Sequence, residues 1–115
     1  MNEMMNPTLP ASWLASRLGA YPTEIARLRT AGELYASREA GDNEWRYSAW
    51  QFGPGGTVPF AVRDTVKTAK SLGLSEDRLL AILRRRAGLM GGARLLDLLF
   101  EGKTDRVVAE VRAAA

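Results

Sequence analysis

Apolar residues recur at helical spacing through most of the chain, and the first 32 residues contain two such stretches. The pattern predicts a helix that ends at Gly19, followed after a short turn by a second helix that Pro22 opens. Ile25 and Leu28 form the inward face of the second helix, and Gly32 is placed to end it. Two helices joined by a short glycine-containing turn predict a helix-turn-helix.

The pattern changes after Gly32, where aromatic residues flank a turn. The stretches 34–39 and 44–47 lie on either side of residues 40–43, whose Gly-Asp-Asn sequence favours a tight turn. A β-hairpin is therefore predicted, and a hairpin directly after a helix-turn-helix is a wing. The Gly-Pro-Gly-Gly stretch at 53–56 continues no regular element and is interpreted as a linker.

The second half of the chain is predicted to be helical. Apolar residues at helical spacing predict a first helix at 62–72 and a second that begins at Ser75. A third is predicted at 95–100, and a last short helix begins at Thr104. Gly88, Gly91 and Gly92 are expected to form a loop. The predicted organisation is a flexible arm at 1–9, a winged helix-turn-helix at 10–53 and a four-helix domain at 54–115, which makes the fold mainly α.

Composition excludes several kinds of chemistry. The chain has no cysteine and no histidine, so disulfides, thiolate and imidazole metal sites, and Ser-His catalysis are absent. Asp64, Asp97 and Asp105 stand singly and suggest no catalytic carboxylate pair. We expect a non-enzymatic protein with no metal and no cofactor. With no apolar run of about 18–20 residues and no signal peptide, we expect no membrane contact and a cytoplasmic location.

Charge is distributed unevenly along the chain, whose formal net charge is +3. Residues 1–60 hold five arginines against six acidic side chains, which gives −1. Residues 61–115 hold eleven basic against seven acidic side chains, which gives +4. The net charge of −1 disfavours DNA binding by residues 1–60, since neutralisation of phosphates dominates nucleic-acid affinity.

The outward face of the second predicted helix nevertheless carries residue types that read DNA. Arginine contacts guanine edges, and threonine contacts phosphate or a thymine methyl group. A wing tracks the DNA backbone, so arginines in the hairpin add to this site. The alternative is a solvated face on a helix that only supports the fold. The candidate DNA-binding residues are Thr23, Ala26, Arg27, Arg29, Thr30, Arg38 and Arg46.

The first half resembles the small winged helix-turn-helix of excisionases and MerR-type regulators. The residues that carry this resemblance are Trp13-Leu14-Ala15, Gly32-Glu33-Leu34 and the return strand Glu44-Trp45-Arg46-Tyr47. It covers about 40 residues and implies that this half binds double-stranded operator DNA.

Residues 48–115 resemble the toxin-binding domain of the Xre/MbcA/ParS antitoxin family. The resemblance rests on Trp50-Gln51-Phe52 and above all on the stretch 89–99, which is similar to the family's glycine-glycine signature. The sequence departs from the family where Leu95 replaces a proline and where Arg86-Ala87 replaces a Pro-Asn pair. The resemblance implies a four-helix, antitoxin-like domain that blocks a RES-domain toxin, an enzyme that consumes NAD.

A candidate partner-binding surface lies in the same region. The helix at 95–100 has five apolar residues in six, a stripe too wide for one buried side. The arginines at 84–86 either complement the end of a helix or contact a partner protein or DNA, and with a protein partner they would surround this surface with positive charge. The candidate partner-binding residues are Arg84, Arg85, Arg86, Gly91, Gly92, Arg94, Phe100 and Val111.

The two resemblances imply a DNA-binding transcriptional regulator of antitoxin type that neutralises a RES-like toxin and controls its own operon, and the outward face of the second helix is consistent with DNA binding. We expect a homodimer, because DNA readers of this size usually need two half-sites. The alternative is a protein-interaction module whose winged half has lost DNA binding.

Overall fold

The computed structural model describes residues 7–38, 41, 43–88 and 91–115, with the backbone alone described at 86–88 and 91–93. The chain is mainly helical and has a small three-stranded antiparallel sheet. It divides into two units, Met1–Val58 and Pro59–Ala115. No described helix is long and apolar enough to cross a membrane.

The first unit combines two helices with the three-stranded sheet. The middle strand, β3, pairs with both other strands, and Tyr47 on β3 stands opposite Leu9 on one side and Ala36 on the other. The elements are β1 (Thr8–Pro10), α1 (Ala11–Leu18), α2 (Pro22–Thr30), β2 (Ala36–Ser37) and β3 (Arg46–Ser48).

The predicted arm at 1–9 is wrong for its last residues. Thr8 and Leu9 belong to β1, and the carbonyl of Pro7 accepts a hydrogen bond from the backbone N–H of Ala49 at 2.9 Å. Backbone groups that pair with a neighbouring strand are ordered even where the side chains are polar. Pro10 lacks an N–H, and an edge strand such as β1 tolerates that loss. Residues 1–6 of the predicted arm lie outside the described residues.

Both predicted helix ends in the first unit are confirmed. Gly19 ends α1 with φ 74°, and Gly32 follows α2 with φ 78°, a conformation that only glycine adopts without strain. The two helices and the sheet then enclose one apolar core. Its buried members are Leu14, Ile25, Leu28, Leu34 and Tyr47.

The division between the units falls later than predicted. The boundary was expected after Gly53, but the chain divides after Val58, and residues 53–58 pack with the first unit. The N–H of Gly53 donates to the carbonyl of Thr57 at 2.7 Å, and Val58 packs against the first core. A Cβ on Gly56 would lie 3.0 Å from the Cβ of Leu18. The predicted linker is therefore a turn packed closely against α1.

The described residues of the second unit form four helices, as predicted, and two short strands. The Oγ of Ser75 accepts a hydrogen bond from the N–H of Arg78 at 3.2 Å, which confirms it as the cap of its helix. The elements are α3 (Phe60–Ser71), α4 (Glu76–Leu83), β4 (Arg86–Gly88), β5 (Gly91–Arg94), α5 (Leu95–Phe100) and α6 (Thr104–Ala114).

The loop predicted around Gly88, Gly91 and Gly92 is instead an antiparallel strand pair. In β4 and β5, Arg86 stands opposite Arg94, and Gly88 opposite Gly91. Strand pairing gives hydrogen-bond partners to backbone N–H and C=O groups that would bind water in an open loop. Leu89 and Met90, between the strands, lie outside the described residues.

Helix α6 packs against the other three helices of the second unit. Val107 and Val111 are fully buried on its inner side. Val111 was predicted to contact a partner, and that prediction is wrong, because this side chain belongs to the core of the unit. Phe100, at the end of α5, keeps 40% of its surface exposed.

Candidate nucleic-acid interface

Helix α2 presents one face to the first core and the opposite face to solvent. Ile25 and Leu28 are buried, which orients the helix. Among the predicted DNA contacts on α2, Thr23, Arg27 and Thr30 are exposed, and Ala26 is half-buried between them. The structure therefore brings these four residues onto one accessible face.

Arg27 is engaged with a carboxylate on this same face. Its Nε donates to Oε1 of Glu24 at 3.0 Å, one helical turn earlier. The hydrogen bond that Arg27 donates to the carboxylate of Glu24 raises the pKa of Arg27 above its ordinary value, so the guanidinium is charged at every physiological pH. Both side chains lie in solvent, where such an ion pair exchanges readily for another partner.

Thr30 uses its hydroxyl hydrogen within the helix. Oγ1 of Thr30 donates to the carbonyl of Ala26 at 2.9 Å. This back-bonding is usual for threonine in a helix. The methyl group and the two lone pairs of Oγ1 are what Thr30 offers to a ligand.

Arg29 was predicted to contact DNA, but its guanidinium binds the sheet of its own unit. Nε of Arg29 donates to the hydroxyl of Tyr47 at 3.1 Å, and the guanidinium carbon lies 4.3 Å from the centre of the Trp45 ring. Arg29 is half-buried. We assign it to holding α2 against the sheet. Its ring partners lie far along the chain, so helix periodicity gave no sign of this role.

The two arginines of the hairpin have different surroundings. Arg38 is exposed, and its guanidinium carbon lies 4.8 Å from the centre of the same Trp45 ring. Arg46 is half-buried on β3, opposite Ser37 and Pro10. The Trp45 ring therefore makes cation–π contacts with two guanidinium groups, one from α2 and one from the hairpin, and links these elements.

Aromatic residues of the hairpin and of the segment after it pack in or against the first core. Tyr47 is buried, and its ring meets Phe52 edge to face with centroids 6.4 Å apart. Trp45 and Phe52 pack against the same core from its margin.

Gln51 is a positioning residue that sequence reasoning missed. It is fully buried, its Oε1 accepts from the N–H of Tyr35 at 2.6 Å, and its Nε2 donates to the carbonyl of Tyr35 at 3.0 Å. Nε2 also donates to the carbonyl of Ser48 at 3.1 Å. One side chain thus binds the chain just before β2 to the end of β3. The Trp-Gln-Phe motif belongs to the first unit, although the resemblance assigned it to the second.

Two further residues of the first unit were missed at the helix N-termini. Oε2 of Glu44 accepts from the N–H of Ser12 at 3.1 Å, which places a carboxylate at the positive end of α1. Tyr21 precedes α2 and exposes 77% of its surface. The sequence signal that could have identified Tyr21 is its position as an aromatic residue directly before a predicted helix.

The predicted partner-binding residues of the second unit are only partly brought together. Arg84 and Arg85 are exposed just after α4, and Arg94 is exposed where α5 begins. Arg86, Gly91 and Gly92 lie in the strand pair, and their side-chain environments are outside the described part of the chain. Phe100 is accessible, whereas Val111 is not.

Comparison with known proteins identifies a shared fold. The structure is similar to the NMR structure of Rv2175c, with a TM-score of 0.65 and 22% sequence identity, over 95% of this chain and 81% of that one. At this identity the likeness concerns the fold alone. No protein-family model matches the chain, and no curated protein matches it significantly.

Proposed function

We propose that the first unit binds double-stranded DNA as a winged helix-turn-helix and that the chain is a non-catalytic transcriptional regulator. The observation that carries this proposal is the outward face of α2, which no element of its unit covers among the described residues. α1 and α2 form the helix pair, α2 enters the major groove, and the hairpin formed by β2 and β3 follows the backbone.

The chemistry of this face suits base edges. Arg27 donates two parallel hydrogen bonds to guanine O6 and N7, and Glu24 accepts one from cytosine N4. The methyl group of Thr30 makes apolar contact with a thymine methyl group. Because Glu24 and Arg27 already lie side by side, DNA binding exchanges their mutual hydrogen bonds for contacts to bases.

The regulator acts as a homodimer in this proposal. A single α2 reads only a few base pairs, and two copies place their α2 helices in successive major grooves about 34 Å apart. The expected operator is therefore an inverted repeat.

The first test is selection of bound sequences from a random 20-base-pair duplex library with the full chain, followed by fluorescence anisotropy on the enriched duplex. Arg27→Ala is expected to weaken binding by about 5- to 150-fold, the loss of one base-reading arginine. The matched control is Arg17→Ala, which removes an exposed arginine from α1 and the same charge.

Equal affinities for the Arg27 and Arg17 variants would remove α2 from the interface. Failure of the wild-type chain to bind any duplex would favour the alternative, a protein-interaction module. Circular dichroism of both variants verifies that each is folded.

A second candidate function is protein binding by the second unit, as an antitoxin that neutralises a RES-like toxin. The specific observation in its favour is the exposed Phe100 on α5, the helix that follows the glycine-glycine stretch. Co-expression with a RES-domain protein encoded beside this chain tests it, with cellular NAD as the measured quantity. Unchanged NAD depletion would exclude the antitoxin role.

A further inference from the structure

The first unit contains a cavity of about 260 Å³ between α1, α2 and the segment 43–47. Its lining combines small apolar side chains, two aromatic rings and two opposite charges. All of the lining residues belong to the first unit. Sites for drug-sized ligands have roughly 300–1,000 Å³, so this cavity suits a smaller molecule.

Three alanines explain why space remains here. Ala11 at the start of α1, Ala20 between the helices and Ala26 on α2 all line the cavity, and each is half-buried. Behind them lie Leu14 and Ile25, which are buried members of the first core. Protein interiors leave few voids larger than a water molecule, and a larger apolar side chain in place of one alanine would occupy this one. The sequence therefore leaves room for a ligand beside the core.

Arg29 brings a fixed cation to the cavity. Its Nε donates to the hydroxyl of Tyr47 at 3.1 Å, and its guanidinium carbon lies 4.3 Å from the centre of the Trp45 ring. Stacking engages the face of a guanidinium, whereas a carboxylate binds at its edge. Within the described part of the chain, no residue accepts a hydrogen bond from the two Nη groups of Arg29. These groups can therefore donate to a carboxylate.

Glu44 brings a carboxylate to the same cavity. Its Oε2 accepts a hydrogen bond from the N–H of Ser12 at 3.1 Å, which fixes the side chain at the N-terminus of α1. An ionised carboxylate has about four lone-pair sites, so it accepts several hydrogen bonds at once. Glu44 can therefore keep its contact with Ser12 while it binds an ammonium group.

We propose that this cavity binds a free α-amino acid with an apolar side chain. The carboxylate of the ligand meets the guanidinium edge of Arg29, its ammonium group meets Glu44, and its side chain lies against Trp45 and the alanines. A simple anion would be repelled by Glu44 and a simple cation by Arg29, so a zwitterion is the occupant whose charges complement both. This inference goes beyond the proposed function and needs no DNA.

The test is isothermal titration calorimetry of the full chain with L-leucine and L-phenylalanine, for which we expect saturable binding of one molecule per chain. Isocaproate is leucine without its ammonium group, and isoamylamine is leucine without its carboxylate. Each is expected to bind about 10- to 150-fold more weakly than leucine, because one set of charge-assisted hydrogen bonds is lost.

Glu44→Gln removes the charge at position 44 and keeps an oxygen that can accept from the N–H of Ser12. We expect it to weaken leucine binding by the same factor, whereas isocaproate binds at least as tightly as to the wild type. A merely structural defect would weaken both ligands alike. The matched control is Glu24→Gln, at an exposed glutamate outside the cavity, and it is expected to leave both affinities unchanged.

Ala26→Leu fills the cavity and is expected to abolish leucine binding. Ala15→Leu is its control, because Ala15 is a half-buried alanine on α1 that does not line the cavity. Circular dichroism verifies that both variants are folded.

Absence of binding for both amino acids at millimolar concentration would overturn this inference. Isocaproate binding as tightly as leucine would overturn it as well, since the ligand would then be a simple anion. So would unchanged leucine affinity in Glu44→Gln or in folded Ala26→Leu, because the ligand would then lie elsewhere. None of these measurements involves a duplex, so the proposed function is tested separately.

Discussion

Two arginines of α2, two positions apart, have opposite roles because of the side chains that each one meets. Arg27 faces solvent and binds Glu24, a neighbour on its own helix. Arg29 reaches the sheet and binds Tyr47 and Trp45. Residue type and helical position alone grouped them together as DNA contacts.

Gln51 shows the same dependence on surroundings in a residue without charge. Its amide occupies both backbone hydrogen-bonding groups of Tyr35, as a neighbouring strand would. We expect Gln51→Met, which keeps the side-chain volume, to lower the free energy of unfolding by about 2–4 kcal/mol, because the half-buried backbone N–H and carbonyl of Tyr35 lose their hydrogen bonds to the Gln51 amide.

Urea denaturation, monitored by tryptophan fluorescence, measures this decrease in the free energy of unfolding. All three tryptophans, at positions 13, 45 and 50, belong to the first unit. Asn43→Ala, at an exposed position, is the control and is expected to stay within about 0.5 kcal/mol of the wild type. A loss below about 1 kcal/mol for Gln51→Met would contradict the positioning role.

At the scale of elements, short segments take their conformation from what they pack against. α5 has too many apolar residues for one buried side, yet its unit covers most of them: Leu95 and Leu99 are buried, and Leu96 and Leu98 are half-buried. Phe100 alone among the apolar residues of α5 is exposed.

The turn at 53–56 depends on its contact with α1 in the same way. Gly56 has φ 75°, and an added Cβ would meet the side chains of Leu18 and Ala20 at 3.0 and 3.1 Å. We expect Gly56→Ala to destabilise the first unit by about 1–3 kcal/mol, through backbone strain and overpacking together.

Gly55→Ala is the matched control, since Gly55 has φ 70° with no atom within 4 Å of an added Cβ. The difference between the two variants in urea denaturation isolates the packing contribution. Equal losses would show that backbone strain alone is responsible and that the turn does not pack against α1.

At the scale of the whole molecule, each unit has its own buried core, and this decides which apolar residues remain accessible. Val111 lies in the core of the second unit, whereas Phe100 lies at its surface. We expect Val111→Asp to lower the free energy of unfolding of the second unit by about 4 kcal/mol or more, because it buries an unpaired charge.

Phe100→Asp is expected to change this free energy by about 1 kcal/mol or less, because the new carboxylate reaches water. Far-UV circular dichroism during urea denaturation measures both variants, since the second unit contains four helices. A Val111→Asp chain as stable as Phe100→Asp would mean that α6 does not pack as described.

The sequence by itself determined where most helices lie. Apolar spacing, the glycines after α1 and α2, and Ser75 before α4 are local signals, and each acts within one or two turns of its own position. The outward face of α2 follows from the same periodicity, once Ile25 and Leu28 are assigned to the core.

Tertiary structure alone decided the features that depend on partners distant in the chain. β1 forms because β3 offers it backbone groups, and β4 and β5 pair where glycines predicted a loop. The engagement of Arg29 and the burial of Val111 likewise follow from side chains and helices brought close only by folding. Local pattern fixes the conformation of a segment, whereas its exposure and its partners depend on which other segments pack against it.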